Sequence, residues 1–338
     1  MGKITYNVKD FAKSAVEFEK DLLAIPVVGL REATKNITIK KGVRGTTYIG
    51  TKKTKGGKIA PYKRNRKTDV DLDLNYRPLT TYFGSVNDEF DPNEAMGTIM
   101  DHQAGKAMDG ELASTPTAKD VLSLEAKDAT EDLPYALWTG VRNPKGETTF
   151  DLFDGFDTIT DKDIDAGEIS EKNGNLIVLD EVITPENAYD IITGIVTKLN
   201  LHLRREKCFL YCSQAIADAY NKGYKANSKG ISYNGKYEQN VVEGSNGNLV
   251  ISVEPGKDKS HFMHIAPKIN MVFGCDQESD QESVRVKDYA PDTLTFMMRL
   301  FAGAQMRSVH KSQLCVVKLA EGQVPEPEDE NLEEGENE

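Results

Sequence analysis

Residues 33–68 carry twelve Lys or Arg and not one Asp or Glu. A stretch of that charge, rich in Gly and Thr, repels itself and cannot build a core. The whole 338-residue chain has a net charge of −12, and this run alone contributes +12, so the remainder carries −24. Positive charge is therefore confined to one contiguous segment, which calls for a negative partner: nucleic acid, an acidic ligand, or the acidic body of a second copy.

The segment has internal form. Ile37, Ile39, Val43, Thr47 and Ile49 alternate with polar residues, and Gly42, Gly45 and Gly50 punctuate them. Thr51 to Lys58 contains no apolar residue and includes Gly56-Gly57. Alternation resumes at Ile59 and Tyr62, and again at Val70, Leu72 and Leu74. Strand, polar tip with a Gly pair, strand predicts a hairpin. Polar on both faces, it is not stable standing alone and gains order against something else. A disordered basic loop is the bland alternative.

The rest of the chain is ordinary enough to fold. Hydrophobic residues make up 38% and mean hydropathy is −0.50. No apolar run approaches the ~18 residues of a membrane helix, and the N-terminus lacks the apolar stretch of a signal peptide. The expected origin is cytoplasmic. Cys208, Cys212, Cys275 and Cys315 form no CxxC pair. The Cys208–Cys212 run reads as a strand, which puts its two thiols roughly 13 Å apart, too far for one metal or disulfide. Buried free thiols are expected.

Helical stripes are predicted over Asp10–Ala24, over Asp91–Gly110 with Asp91 as N-cap and Pro92 in the first turn, and from Thr184 and Pro185 to Leu203. Asp151–Asp157 reads as a strand-to-turn passage. Asp161–Glu181 reads as a hairpin region with Asn173-Gly174 as its turn. Ser213 is expected to cap a helix to Tyr220. Short strands are expected at Val250–Val253, Met263–Ile265, Ile269–Phe273 and Val284–Val286, then two β-rich runs, Thr293–Met298 and Val309–Leu319, around Gly303. The tail from Glu321 holds nine acidic residues and no basic one; it is expected to be disordered.

Sites for chemistry are sparse. Gly45–Gly50 has phosphate-loop spacing, but Thr51 follows where Lys is required. Asp161, Asp163 and Asp165 start like a calcium loop whose twelfth position is Lys172 rather than Glu. His261 and His264, three apart in a strand-like run, face opposite sides. Trp138, the single tryptophan, is expected in the core. Neither HExxH nor GxSxG occurs. The expectation is a non-enzyme without metal or cofactor.

Three stretches resemble a known family. They are Thr149-Phe-Asp-Leu-Phe-Asp-Gly-Phe-Asp-Thr-Ile; Ile183 through Leu203 to Cys208–Cys212 and Ser213-Gln-Ala; and Val284–Tyr289 followed by Thr295–Met306 and Leu314–Val317. In order and character they are similar to the major capsid protein of tailed bacteriophages, the Hong Kong 97 type. The resemblance implies an α+β fold with an N-terminal arm (1–38), an extended β-hairpin loop (39–76), a peripheral domain with a long spine helix (77–148 and 276–320), an axial α/β domain (149–275) and a disordered acidic tail (321–338). It implies self-assembly through hexamers and pentamers into an icosahedral shell around double-stranded DNA held without sequence specificity. The location implied is the virion, assembled in the host bacterial cytoplasm. Separate scaffold, portal or decoration proteins are further implied partners, and a membrane is not. Inter-subunit contact would fall to Lys40, Lys41, Arg44, Lys52, Lys53, Lys55, Lys58, Lys63, Arg64, Arg66 and Lys67. An encapsulin-like nanocompartment shell is the alternative within the fold. A nucleic-acid-binding protein using residues 33–68 is the alternative outside it.

Overall fold

The computed structural model describes residues 35–54, 61–62, 72–90, 122–123, 126–128, 131–227, 240–276, 284–290 and 293–323. In chain order these form β1 (Thr38–Lys40), β2 (Thr46–Thr54), β3 (Leu72–Thr80), β4 (Tyr82–Phe90), α1 (Leu133–Thr139) and α2 (Phe156–Asp165). Then come β5 (Leu176–Val178), α3 (Ala188–Lys198), α4 (Leu201–Arg205), β6 (Cys208–Cys212), α5 (Gln214–Asn227), β7 (Leu249–Val253) and β8 (Phe262–Ala266). The described chain closes with β9 (Met271–Cys275), β10 (Val284–Ala290), β11 (Thr293–Met306) and β12 (Cys315–Lys318). Two compact units result: residues 1–159 with 268–308, and residues 160–267 with 309–338. The expected helices at Asp10–Ala24 and Asp91–Gly110, and the acidic tail beyond Gln323, lie outside the described residues.

The first unit is organised by β11. Its early part pairs antiparallel with both β10 and β4, and Ala302–Met306 pairs antiparallel with β9. Leu294, Phe296 and Met298 are buried while Thr295, Met297 and Arg299 are not, the period of two expected of a half-buried strand. Gly303 lies within this strand rather than between two runs. A Cβ there would stand 2.2 Å from the Thr80 carbonyl oxygen, so glycine lets the β3–β4 backbone approach β11.

Asp151–Asp157, expected as a strand-to-turn passage, holds no strand: a bend at Leu152-Phe153 leads through Asp154-Gly155 into a helix that starts at Phe156. A 3-10 turn at Thr149–Asp151 is followed by α2. Thr148 and Asp151 cap that turn reciprocally, which local alternation of apolar residues does not reveal. Phe153 packs on Phe273 and Phe156 on Trp138, with centroids 5.9 and 5.2 Å apart. A Cβ on Gly155 would meet the Trp138 carbonyl oxygen at 2.3 Å, so glycine permits this chain crossing. Trp138 is fully buried, as expected.

The second unit holds a five-stranded sheet ordered β5-β12-β8-β6-β7. Every residue of β6 and β8 is buried. β6 reads as a continuous apolar run because both of its faces are covered, while β8 also buries His264. Ile192, Ile195 and Val196 of α3 and Ile216, Ala217 and Tyr220 of α5 share a core with Leu210, Met263, Ile265 and Val317. The four cysteines are buried thiols outside any disulfide, as expected.

Four expectations are corrected here. The helix expected from Thr184 starts at Ala188 and is broken at Leu199-Asn200. Asn187 Oδ1 accepts the Thr184 N–H at 2.7 Å, and Asn200 Oδ1 accepts the His202 N–H at 3.0 Å, so two asparagines punctuate one apolar stripe. Asn173-Gly174 does not close a hairpin: α2 runs to Asp165, and β5 pairs in parallel with β12. Asn173 Nδ2 bonds the carbonyls of Gly167 and Glu168, folding the loop on itself. The helix after Ser213 continues to Asn227. Finally, β12, expected among the peripheral strands, sits between β5 and β8, where Val316 and Val317 are fully buried.

Candidate inter-subunit surface

β2 and β3 form an antiparallel ladder from Thr46↔Thr80 to Thr54↔Leu72, the hairpin expected from the alternation. Its base is anchored. Ile49, Leu79 and Val272 make a small buried cluster. Arg77 donates to Gln305 Oε1 from Nη2 at 3.1 Å and from Nε at 3.3 Å, and Gln305 Nε2 donates to the Pro78 carbonyl at 3.0 Å. Thr81 N–H bonds the Gly45 carbonyl at 2.9 Å. Gly42 and Gly45 both have positive φ, which separates β2 from β1. β1 pairs in parallel with β9, so Lys40, Lys41 and Arg44 precede the ladder instead of lying on it.

The opposite face of the ladder is open. Tyr48 is 68% exposed and Tyr76 is 56% exposed, with exposed Pro78 cross-strand from Tyr48. Tyr62, beyond the ladder, is 91% exposed. Tyr48, Tyr76 and Pro78 thus stand open together on one face of the strand pair.

The expected basic residues divide. Lys41 is exposed. Lys40 Nζ reaches Thr47 Oγ1 at 3.4 Å. Arg44 Nε is paired with the buried Asp276 carboxylate, so its charge serves this unit's own fold. Lys52 and Lys53 stand in β2 opposite Leu74 and Asp73. Lys55, Lys58, Lys63, Arg64, Arg66 and Lys67 lie outside the described residues.

Beside β4 runs an open groove of about 810 Å³, lined by Phe83, Val86, Arg142, Thr149, Leu152 and Leu300 among others. The Arg142 guanidinium lies 4.5 Å from the Tyr82 ring centroid. Asp151, at the groove edge, is held below the usual carboxylate range chiefly by its hydrogen bond from the Thr148 side chain. At the far end of β4, Asp88 and Glu89 are exposed.

A polar cluster that sequence reasoning missed lies in the second unit. Lys257 is 2% exposed and Glu254 is 1% exposed. Lys257 Nζ lies 3.0 Å from Ser260 Oγ, from the Phe262 carbonyl oxygen and from His264 Nδ1. Glu254-Pro-Gly-Lys-Asp has the composition of a solvated turn, so no local signal marked it. Ser-His-Phe-Met-His did carry a hint, since its alternation puts His264 on the face opposite exposed His261. Among the described residues, no group of three His, Cys, Asp or Glu side chains is placed to hold a metal ion.

No protein-family model and no curated protein sequence matches the chain. Solved structures do. The capsid asymmetric unit of cyanophage A-1(L) is similar at TM-score 0.50 and 12% identity, covering 88% of this chain and 93% of that one. The chain has the fold of a phage capsid subunit. The procapsid of satellite phage P4 is similar at TM-score 0.49 and 12% identity, covering 86% of this chain and 97% of that one. The SrpI encapsulin complex of Synechococcus elongatus PCC 7942 is similar at TM-score 0.47 and 13% identity, covering 88% and 90%.

Proposed function

We propose that the chain is the major capsid protein of a phage or prophage head. On this reading, copies assemble through hexamers and pentamers into an icosahedral shell around double-stranded DNA in the virion. The β2–β3 hairpin reaches over a neighbouring copy. The first unit supplies the peripheral part of the subunit and the second supplies the axial part, packed around the five-fold and six-fold positions. Scaffold or portal proteins, where used, are separate chains.

The observation that carries the reading is the hairpin's asymmetry. One face is locked at its base by Ile49, Leu79 and Val272, and the other exposes Tyr48 and Tyr76. A strand pair so built has apolar surface to give and no core of its own to receive it. Its lysines complement the acidic remainder of the chain, of which exposed Asp88 and Glu89 are a part. Closed symmetric shells repeat one such contact many times.

The test is electron microscopy of the purified chain across protein and salt concentrations. Rings or closed shells are expected, and monomers under every condition would sink the reading. Particles that hold cargo protein in place of DNA would assign the encapsulin-type shell. A monomer that binds DNA, with affinity falling steeply as salt rises, would assign the nucleic-acid-binding alternative.

A further inference from the structure

The buried cluster of the second unit brings a carboxyl, an amine and an imidazole together around one turn. Glu254 directly follows β7, its N–H bonded to the Cys212 carbonyl at 3.2 Å. Its Oε1 accepts the Ser252 hydroxyl at 2.6 Å. Its Oε2 is buried and has no hydrogen-bond partner among the described residues. Three residues along, Lys257 Nζ donates to the Phe262 carbonyl and to His264 Nδ1. Because Nδ1 accepts, the neutral imidazole carries its proton on Nε2, which faces Thr160 Oγ1 at 2.8 Å. Lys257 thus sets the His264 tautomer, and through it the bond to α2.

We propose that Glu254 is a proton-operated latch on the Pro255–Ser260 turn. While Glu254 holds its proton, Lys257 stays bonded to Phe262 and His264. When the proton leaves to solvent, the buried carboxylate has one oxygen without a donor, and Lys257 is the cation that acts on it. Nζ is drawn toward Glu254, the bonds to the Phe262 carbonyl and His264 Nδ1 are given up, and the turn loosens from β8.

The groups facing Glu254 are Tyr211 and Cys212 of β6 and Lys257 of its own turn. Burial pushes the Tyr211 hydroxyl well above its ordinary value and the Cys212 thiol up to about 12, so both stay neutral. Burial first, then the Lys257 charge, holds His264 well below its ordinary value, so it stays neutral too. Burial raises the Glu254 carboxyl to about 7 against the Ser252 bond and the Lys257 charge. Of these four side chains, Glu254 is the one that changes charge near neutrality.

The experiment is hydrogen exchange by mass spectrometry on the full chain, over peptides spanning 254–266, from pH 6 to 8.5 and corrected for intrinsic chemistry. Wild type is expected to lose protection about tenfold or more above pH 7. Glu254→Gln, which cannot ionise, is expected to keep protection throughout. A flat wild-type profile, or the same loss in Glu254→Gln, overturns the latch. If the variant does not fold, a 13C titration of Glu carboxyls in wild type decides. A midpoint near 7 supports the latch, and every midpoint near the ordinary 4.5 overturns it.

Discussion

The β2–β3 hairpin and the β6–β8 strand pair are both antiparallel, yet they are built to opposite ends. All five residues of β6 and all five of β8 are buried. On the hairpin, the described buried side chains lie on one face at the base, and two tyrosines stand open on the other. The β6–β8 pair completes its packing within the chain and contributes to subunit stability. The β2–β3 hairpin leaves Tyr48 and Tyr76 open, and on the proposed reading its value is counted in assembly. The proposed function thus assigns stability and association to different strands of one subunit.

The largest break in that comparison is to replace residues 53–72 by a tight two-residue turn. Shell formation is expected to vanish in micrographs while the thermal melting of the subunit stays near wild type. A large fall in melting temperature would show that the hairpin belongs to the folding core. Next, Ile265→Ala, at a fully buried position of β8, is expected to cost about 2–5 kcal/mol in denaturant unfolding. Leaving stability unchanged would remove β6–β8 as the stabilising half of the contrast.

Glu254→Gln sharpens the same half. The folded carboxyl, at about 7, lies above its ordinary 4.5. The folded state therefore keeps a proton that the unfolded state has lost, and stability falls as pH rises from about 4.5 to 7. His264 works oppositely, since the folded state refuses a proton below the ordinary 6.5, which lowers stability on the acid side. The difference between wild type and Glu254→Gln isolates the glutamate: the variant is expected to gain about 3 kcal/mol relative to wild type between pH 4.5 and 8. Parallel stability curves would contradict this. The smallest effect is expected for Tyr48→Ala with Tyr76→Ala, a stability change within about 0.5 kcal/mol. Their weight should appear in slowed or lost particle formation instead, read by light scattering.

Much of the fold is legible where local pattern and environment agree. The Cys208–Cys212 run declares a buried strand because its residues are apolar throughout, and the buried thiols follow from the absence of any paired spacing. The hairpin is legible because its alternation and its glycines are local. The candidate surface was read more coarsely. The ion pair of Arg44 with the buried Asp276 could not be read from the sequence, since the two are far apart along the chain. The open tyrosines, which charge counting passes over, carry the stronger argument. Lys257 and Glu254 were illegible because a turn-like composition says nothing of what packs over the turn.

The amino-acid sequence determined where the charge concentrates, where strands and helices have their periods, and which thiols stay apart. Tertiary structure alone decided partners. Thr38 bonds the Lys268 carbonyl from the far side of the sequence, and β1 lies along β9. β5 lies along β12 in parallel, where a local turn had suggested a hairpin. The reason is physical: periodicity is written in neighbouring residues, whereas pairing and burial depend on which distant backbone and side chains arrive at the same place.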